Sequence, residues 1–368
     1  MSKKILIICN SSTGLNDFRG MLIDELLKRK YEIAAIIPKE NNEINLDAEE
    51  CLRNRGCKLF KVDITRRGKN PLKDIALFNN YLHAIKKIHP DLVITYTIKP
   101  NIYGGIACRI LKIPYAVNIT GLGSAFENDG LVKKIVTVMS KIAYKQAKVV
   151  FFENEGNRQF FVDQKIIKKA QTKTLNGAGV DLNKFKIKEY KDSDITKFLF
   201  IGRVMKEKGI DELFGAMKML IEDGEKCELH VLGGYEENYK DLIETYESEG
   251  WLHYHGYQKD VRPFIEKCQC FVLPSWHEGM ANTNLECAAM GRPVITSNIH
   301  GCMESVEDGI TGYLTECKKE EQLYNTMKKF TILPYEKRKE MGIAGRKHME
   351  LNFDKKRVVA CTIQKLMQ

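Results

Sequence analysis

The strongest constraint on the fold is the alternation of two hydrophobic periods along the chain. Short runs rich in β-branched residues are separated by single helical patterns, beginning with KILIICN, DFRGMLIDELLKRK and YEIAAIIP. The strand-like runs continue with KLFKVDI, DLVITYT, YAVNITG and KVVFFEN. Strands joined through single helices form right-handed crossovers, and therefore a parallel sheet with both faces covered. The first half is predicted to be a Rossmann-like α/β domain.

A second alternation follows a charged, weakly apolar segment, KFKIKEYKDSDITK. Its strand-like runs are KFLFIGR, CELHVLGG, WLHYHGY, CFVLPS, RPVITSN and GYLT. A chain of 368 residues is comfortable as two such domains. We expect a first domain over 1–190, a second over 191–350, and a helix over 351–368 that caps the second sheet or returns to the first domain.

Composition sets the expected location. No stretch approaches the roughly 20 apolar residues that cross a bilayer, and the apolar run near the N-terminus is too short for a secretion signal. The eleven cysteines are scattered, which favours reduced thiols. We expect a cytoplasmic protein, either soluble or peripheral on the inner face of the plasma membrane.

Two patterns that resemble metal sites are expected to hold no metal. His253 and His255 alternate along a strand pattern, which indicates an ordinary polar face. Asp192 and Asp194 form a D-x-D motif, but it lies in the expected linker and not at a strand exit, so it is interpreted as solvated charge. No metal and no cofactor are predicted.

Charge differs between the two halves. Residues 1–190 carry 33 Lys and Arg against 19 Asp and Glu, a net +14, and the remainder carries 25 against 29, a net −4. A basic first half indicates an anionic partner: nucleic acid, a phospholipid surface or a phosphorylated acceptor. The segment 130–148 has apolar residues at helical spacing and five lysines, so it is either a packing helix or a contact with anionic headgroups.

Ligands of open parallel sheets bind beyond the carboxyl ends of the strands. The first exit loop, NSSTGLND with Gly14, leads into a helix, where backbone amides attract anions. A simple strand-to-helix turn explains this loop equally well. At the first strand of the second domain, Gly202 permits close approach, and Arg203 and Lys208 place two cations at a helix entrance. A diphosphate suits that arrangement.

The stretch LPSWHEGMANTNLE carries two carboxylates. Glu278 lies in a Gly-containing turn, and Glu286 follows eight residues later on the same side of a helix. Carboxylates accept hydrogen bonds from sugar or ribose hydroxyls, and amides near the helix start are expected to hold a phosphate. The residues of this turn and helix start are Gly279, Met280, Ala281, Asn282 and Thr283. Two exposed helix glutamates are the simpler alternative.

Together these motifs resemble the retaining glycosyltransferases of family 4, which have a GT-B fold of two facing Rossmann-like domains. The resemblance rests on GRVMKEKG, on EGMANTNLE and on GRPVITSNIHGCMESVEDGITGYL. It is strongest with the bacterial subgroup that builds surface polysaccharides, such as capsule and O-antigen, and lipid-linked oligosaccharides. In the first half, TYTIKPNIYGG and NITGLGSAF are similar to acceptor-domain signatures of that subgroup.

The resemblance implies an activity and residue roles. A hexose or N-acetylhexosamine would pass with retention from a nucleotide sugar, UDP-linked by subgroup resemblance, to a polyprenyl-diphosphate-linked saccharide. Arg203 and Lys208 would bind the donor diphosphate, Glu278 the transferred sugar and Glu286 the ribose, with Gly14 completing the phosphate site. Asn118, Thr120 and Gly121 would lie in the acceptor region.

One departure concerns the catalytic base. Many members have a histidine near the position of Thr120, so no general base is evident, and the departing diphosphate would help to deprotonate the acceptor. A nucleotide-sugar 2-epimerase of GT-B fold remains an alternative. A nucleic-acid-binding protein is disfavoured because no aromatic-rich or DNA-binding motif accompanies the charge.

Overall fold

The computed structural model describes residues 3–40, 42–64, 70–123, 126 and 130–368. The chain divides into two compact units. The first comprises Met1–Ala178 together with Lys356–Gln368, and the second comprises Gly179–Lys355. Each unit is built around one parallel sheet.

The first unit has a seven-stranded sheet in the order β3-β2-β1-β4-β5-β6-β7. Its strands are β1 (Lys4–Ile8), β2 (Glu32–Pro38), β3 (Lys58–Val62), β4 (Leu92–Tyr96), β5 (Tyr115–Ile119), β6 (Val149–Phe152) and β7 (Thr172–Thr174). The described helices before residue 179 are α1 (Ser12–Lys28), α2 (Glu43–Asn54), α3 (Pro71–Ile88), α4 (Gly105–Leu111), α5 (Leu131–Tyr144) and α6 (Glu155–Asp163), with a π-helical turn, Pro100–Gly104, leading into α4.

The second unit has a six-stranded sheet in the order β10-β9-β8-β11-β12-β13. Its strands are β8 (Thr196–Ile201), β9 (Cys227–Leu232), β10 (Leu252–Tyr254), β11 (Cys270–Leu273), β12 (Val294–Ser297) and β13 (Gly312–Thr315). The helices that follow are α7 (Ile210–Glu222), α8 (Lys240–Ser248), α9 (Arg262–Lys267), α10 (Asn282–Ala289), α11 (Glu320–Thr331), α12 (Tyr335–Asn352) and α13 (Lys355–Met367).

Both faces of the first sheet are covered, as the continuous apolar strands require. Leu6 and Ile8 of β1 point into one core, while Ile5 and Ile7 point into the other. Helix α13 contributes its apolar side chains to the second of these cores, which contains Val358, Val359, Ile363 and Leu366. The last helix of the chain therefore belongs to the first unit.

The unit boundary lies earlier than residue 190. Val180 and Phe185 are buried in the core of the second unit, and Tyr190 donates its hydroxyl to the carbonyl of Gln269 at 2.9 Å. The charged segment 180–190 therefore contains three side chains, those of Val180, Phe185 and Tyr190, that attach it to the second unit. The contact boundary accordingly falls between Ala178 and Gly179.

Composition predicted reduced cysteines and no apolar stretch long enough to cross a bilayer. All eleven cysteines are free thiols. Within the described ranges, no helix combines the length and the apolar character needed to cross a bilayer.

Candidate active site

The exits of β8 and β11 meet in the second unit. The two strands are neighbours in the sheet, with Cys270 beside Phe198 and Phe271 beside Leu199. The loops that follow them bring Lys208 and Glu278 into a direct ion pair between the ammonium and Oε1 of the carboxylate. The two side chains are only 18% and 14% exposed. Residues 70 positions apart thus form one polar site.

The carboxylate of Glu278 is also held by a hydroxyl. Ser275, which follows β11, donates its Oγ–H to Oε1 of Glu278 at 3.1 Å. The ammonium of Lys208 and the hydroxyl of Ser275 therefore contact the same carboxylate oxygen, Oε1. Partial burial strengthens such interactions because fewer water molecules compete for them.

Two glycines make the approach of these loops possible. Gly209 has φ +72°, and a Cβ there would lie 2.1 Å from the carbonyl oxygen of Pro274. Gly301 has φ +92°, and its Cβ would lie 2.6 Å from the carbonyl oxygen of Glu278. Both positions combine left-handed backbone with backbone contact, which only glycine accommodates. They fix Lys208 and Glu278 against each other.

Arg203 is placed differently from Lys208. Its side chain is 51% exposed, and Nη1 lies 3.4 Å from Oε2 of Glu236. The close backbone approach expected at Gly202 is made by Gly233. A Cβ added at Gly233 would lie 1.8 Å from the carbonyl oxygen of Gly202. Arg203 is thus a cation at the rim of the β8 exit, and Lys208 is the more enclosed of the two.

Two amides of the turn that was expected to bind a phosphate at the start of α10 form hydrogen bonds within the protein. The amide of Ala281 donates to the carbonyl of Gly301 at 2.7 Å, and that of Asn282 donates to the carbonyl of Met280 at 2.9 Å. These two amides are therefore engaged within the protein. Thr283 lies in the first turn of α10, and Glu286 lies further along it, partly buried. Gly279 precedes the cradle and is also partly buried.

Trp276 links the loop that follows β11 to the loop that follows β8. Its indole Nε1–H donates to Oε1 of Glu212 at 3.0 Å, and its amide donates to the carbonyl of Glu207 at 3.0 Å. The ammonium of Lys318 lies 4.2 Å from the centroid of the Trp276 ring, and that of Lys206 lies 5.9 Å from it. Lys206 therefore contacts the indole, in contrast to Lys208 with its carboxylate partner.

Gly14 in the first unit is not in a loop. Helix α1 begins at Ser12, so Gly14 lies in its first turn, and its amide donates to the side-chain oxygen of Ser11 at 3.0 Å. The exit loop of β1 is shorter than the sequence pattern indicated. Ser11 acts as a helix N-cap, so the Gly14 amide is engaged within the protein.

Asn118, Thr120 and Gly121 lie at the carboxyl end of β5. Asn118 is buried; its side-chain Nδ2–H donates to the carbonyl of Thr95 at 3.2 Å, and its main-chain carbonyl accepts from Nδ2 of Asn101 at 2.7 Å. Its side chain ties β5 to β4. Thr120 and Gly121 follow the strand and are partly exposed. Ser124 and Ala125 of the NITGLGSAF motif lie outside the described residues.

Thr97 is a further residue of interest that was not among the predicted site residues. This residue directly follows β4 and has φ +74°, which is an outlier for a β-branched residue. Its Oγ1 is buried, and no hydrogen-bond partner for it occurs in the described ranges. Lys99, two residues later, pairs with Asp74 at 2.7 Å. A strained, polar strand exit of this kind is a functional candidate, and only the TYTIKPNIYGG motif pointed to it.

A buried ion pair in the first unit was missed as well. Nη2 of Arg19 lies 2.5 Å from Oε1 of Glu153, with side chains 11% and 9% exposed. The Arg19 guanidinium also lies 4.7 Å from the centre of the Tyr96 ring, and burial raises the pKa of Tyr96 to about 12. Glu153 directly follows β6 and Tyr96 ends β4. The Arg19–Glu153 ion pair therefore lies at the carboxyl edge of this sheet.

Solved structures with the same architecture define the class. The Anabaena protein HepE, solved in complex with UDP and glucose, matches 99% of this chain and 99% of its own with a TM-score of 0.78 at 16% identity. Sucrose-phosphate synthase from Thermosynechococcus elongatus matches 98% of each chain with a TM-score of 0.79 at 15% identity. Two Rossmann-like parallel-sheet domains followed by C-terminal helices define this chain as a GT-B fold protein.

Family profiles identify the enzyme group. Residues 181–348 match the profile described as glycosyl transferases group 1, and residues 4–154 match the profile described as glycosyl transferase 4-like. The two matches account for both domains. The chain belongs to the group 1, family 4-like glycosyltransferases and is a hexosyltransferase.

Three bacterial relatives are similar over most of their length. The diacetylbacillosaminyl-diphospho-undecaprenol α-1,3-N-acetylgalactosaminyltransferase of Campylobacter jejuni is 27% identical over 87% of each chain. The capsular polysaccharide glycosyltransferase CapM of Staphylococcus aureus is 28% identical over 96% of this chain and 93% of its own. An Escherichia coli UDP-Gal:α-D-GlcNAc-diphosphoundecaprenol α-1,3-galactosyltransferase is 27% identical over 80% of this chain and 82% of its own.

Proposed function

We propose that this enzyme transfers a hexose or N-acetylhexosamine from a UDP-linked donor, with retention, to a saccharide carried on a polyprenyl diphosphate. The reaction would serve the assembly of a bacterial surface glycan. The single observation that carries the proposal is the enclosed Lys208–Glu278 pair at the joined exits of β8 and β11. The names of the Campylobacter and Escherichia relatives support the donor and acceptor classes and favour transfer over 2-epimerisation.

Lys208 has the capacity to hold both its carboxylate partner and a donor phosphate. An ammonium offers three N–H donors, so the bond to Glu278 leaves two for diphosphate oxygens. Arg203, at the more exposed rim, supplies a forked donor set. Glu278 would accept a hydroxyl of the transferred sugar, and Glu286 would accept ribose hydroxyls. Positive charge therefore meets the leaving group, and negative charge meets the sugar.

The proposed step needs no protein base. The bond from the anomeric carbon to the donor phosphate oxygen breaks, and its electron pair remains on the diphosphate. The acceptor hydroxyl oxygen bonds to the same face of the anomeric carbon, and its proton passes to a phosphate oxygen. Lys208 and Arg203 stabilise the charge that develops on that diphosphate. Such electrostatic stabilisation is commonly the largest protein contribution to this kind of step.

A lysine two residues away provides a matched control. Lys208→Ala and Arg203→Ala are each expected to lower kcat by about 100-fold or more. Lys206→Ala removes an equal charge from the same loop, but Lys206 is exposed and contacts the Trp276 ring, so kcat should stay within about twofold of wild type. Kinetics with UDP-sugars and a short-chain diphospholipid-linked acceptor measure this. Near-normal turnover of both Lys208→Ala and Arg203→Ala would contradict the proposal.

We further propose that transfer proceeds without a divalent metal, because two cationic side chains replace it at the diphosphate. Asp192 and Asp194 lie exposed between the boundary segment and β8, and Oδ1 of Asp192 accepts from the amide of Ser193 at 3.0 Å. Turnover should be unchanged by a chelator. Loss of turnover that Mn²⁺ restores would overturn this part of the proposal.

A membrane-facing surface in the first unit fits a lipid-linked acceptor. Helix α5 exposes an apolar stripe, and α3 and α4, which contact one another and α5 in turn, expose further apolar side chains. The exposed residues are Leu72, Ile75, Ile110, Leu131, Val132, Ile135, Val138 and Ile142. Lys134, Lys141 and Lys145 of the 130–148 segment are exposed beside them. Apolar insertion with flanking lysines is the pattern of peripheral binding to anionic bilayers, and it accounts for the basic first half without nucleic acid.

Vesicle sedimentation tests this surface. The enzyme should sediment with anionic vesicles and remain in solution with neutral ones. Ile135→Ser combined with Val138→Ser should weaken sedimentation, whereas Ile343→Ser, at an equally exposed position in the second unit (52%), should not. Equal sedimentation with charged and neutral vesicles, or with the double variant and the wild type, would refute membrane docking through α5.

A further inference from the structure

Three potential metal ligands share one face of the second sheet. Glu228 and His230 are two residues apart on β9, so their side chains point to the same side. His253 on the edge strand β10 lies directly beside His230 in the parallel register. One ligand atom from each of the three lies within 4.8 Å of the others. The sequence pattern of His253 and His255 predicted only a polar face, because the β9 residues that complete the group are more than 20 positions away.

The distances match a metal polyhedron. Nε2 of His230 lies 3.0 Å from Oε1 of Glu228, and Nε2 of His253 lies 3.6 Å from Oε2 of the same carboxylate. Two ligands bound at about 2.0–2.1 Å to a tetrahedral zinc ion are separated by about 3.4 Å. Each of the two imidazole nitrogens therefore lies about one zinc ligand-to-ligand spacing from an oxygen of the Glu228 carboxylate.

A fourth residue orients the central imidazole. Nδ1 of His230 lies 2.9 Å from Nε2 of His255, and the His255 ring packs against Phe264 with centroids 4.8 Å apart. Histidine ligands are usually held through their second nitrogen by such an outer partner, which fixes the ring and its tautomer. His255 thus supplies the support that distinguishes a built site from a chance group of polar side chains.

A neighbouring cation, Lys197, pairs with one oxygen of the Glu228 carboxylate. Lys197 on β8 lies 2.7 Å from Oε1 of Glu228, while Oε2 faces His253. The Lys197 side chain is 36% exposed, and that of His253 is 42% exposed. An incoming ion therefore has a solvent path, and Lys197 has room to turn outward.

We propose that Glu228, His230 and His253 bind a divalent transition-metal ion, with zinc as the best fit to two imidazoles and one carboxylate. Water completes the coordination on the exposed side. The ion links edge strand β10 to β9 and so strengthens the open end of the sheet. Glu228 lies four residues before the end of β9 at Leu232, about 13 Å along the strand, and Lys208 and Glu278 follow other strands, β8 and β11, so the role proposed for the ion is structural.

Metal titration of the untagged enzyme tests the site. After treatment with a chelator and transfer to metal-free buffer, calorimetric titration with ZnCl₂ should show one ion per chain and should raise the thermal midpoint. Glu228→Gln and His253→Gln should each weaken zinc binding by about 10-fold or more. His83→Gln, which removes an exposed histidine from α3, should leave both measurements unchanged.

Co²⁺ gives a second readout, since four-coordinate binding produces intense visible absorption bands that His253→Gln should abolish. Circular dichroism confirms folding of each variant, and the 42% exposure of the His253 side chain makes a folding defect in that variant unexpected. Binding of zinc to His253→Gln and Glu228→Gln as tightly as to wild type, or absence of stoichiometric binding to wild type, would overturn the proposal. Turnover of metal-free enzyme bears only on the transfer mechanism.

Discussion

Gly209→Ala tests whether the backbone contact between two loops holds the candidate active site together. Gly209 has φ +72°, and an added Cβ would lie 2.1 Å from the carbonyl oxygen of Pro274. Adopting a left-handed conformation costs an alanine about 1–2 kcal/mol. Relieving the overlap requires the β8 loop to move away from the β11 loop by roughly 1 Å, at about 1–3 kcal/mol more.

Gly250→Ala is the matched control. Gly250 lies in the same unit at φ +85°, but its added Cβ would meet nothing within 4 Å, so only the conformational cost applies. For a domain of 150–250 residues, each kcal/mol lowers the thermal midpoint by about 2–4 °C. Gly250→Ala should therefore lower it by about 5 °C, and Gly209→Ala by about 10 °C.

Activity separates the two variants further. A displacement of about 1 Å between positioned groups lowers turnover by about 100-fold, and Gly209 adjoins Lys208, which contacts Glu278. Differential scanning calorimetry and steady-state kinetics on both variants measure the two effects. Equal midpoint losses in the two variants together with full turnover of Gly209→Ala would refute this account of the site.

Three further outcomes follow from buried or paired charges. Arg292 is fully buried and donates to several backbone carbonyls, including those of residues 189, 265 and 266 at 2.8–2.9 Å. Arg292→Met should lower the free energy of unfolding by about 3 kcal/mol or more in denaturant titrations, and an unchanged midpoint would contradict this. Arg19→Met leaves Glu153 buried without its cation and should cost about 3–5 kcal/mol, most of which Arg19→Met/Glu153→Leu should restore; equal stability of single variant and wild type would argue against the pair. The hydrogen bond from Arg158 lowers the pKa of Glu155 to about 2. Because this folded-state pKa lies below the unfolded value, the stabilisation is complete above about pH 4.3 and is lost towards pH 2. The thermal midpoint deficit of Glu155→Gln should thus be smaller at pH 3 than at pH 7, and a deficit independent of pH would refute the assignment.

Hydrophobic periodicity was sufficient to predict most strands. Each of the twelve strand-like runs in the sequence overlaps one of the strands β1–β6 and β8–β13. β7 was missed because its sequence, TKT, is polar and only partly buried. Its pairing with β6 depends on backbone hydrogen bonds, which leave no hydrophobic pattern in the sequence.

The candidate site was predictable as a set of strand exits but not as a set of contacts. The motifs placed Lys208 and Glu278 after strands, yet their pairing depends on β8 and β11 being neighbours, which strand order along the chain does not specify. The partner of Arg203, Glu236, lies after a third strand. Gly14 was expected in the exit loop of β1 but lies in the first turn of α1, because Ser11 caps the helix before the small-residue pattern ends.

The anomeric configuration of the transfer product distinguishes the proposed mechanism from its alternatives. A panel of UDP- and GDP-sugars would be presented with a short-chain diphospholipid-linked saccharide, and the product linkage would be determined by NMR from the anomeric coupling constant. We expect transfer from a UDP-sugar with the donor's α configuration kept, and we expect that transfer to be about 100-fold slower or more in Lys208→Ala. A product of inverted configuration would contradict the proposed leaving-group-assisted mechanism, and epimerisation of the donor without transfer would contradict the proposed function.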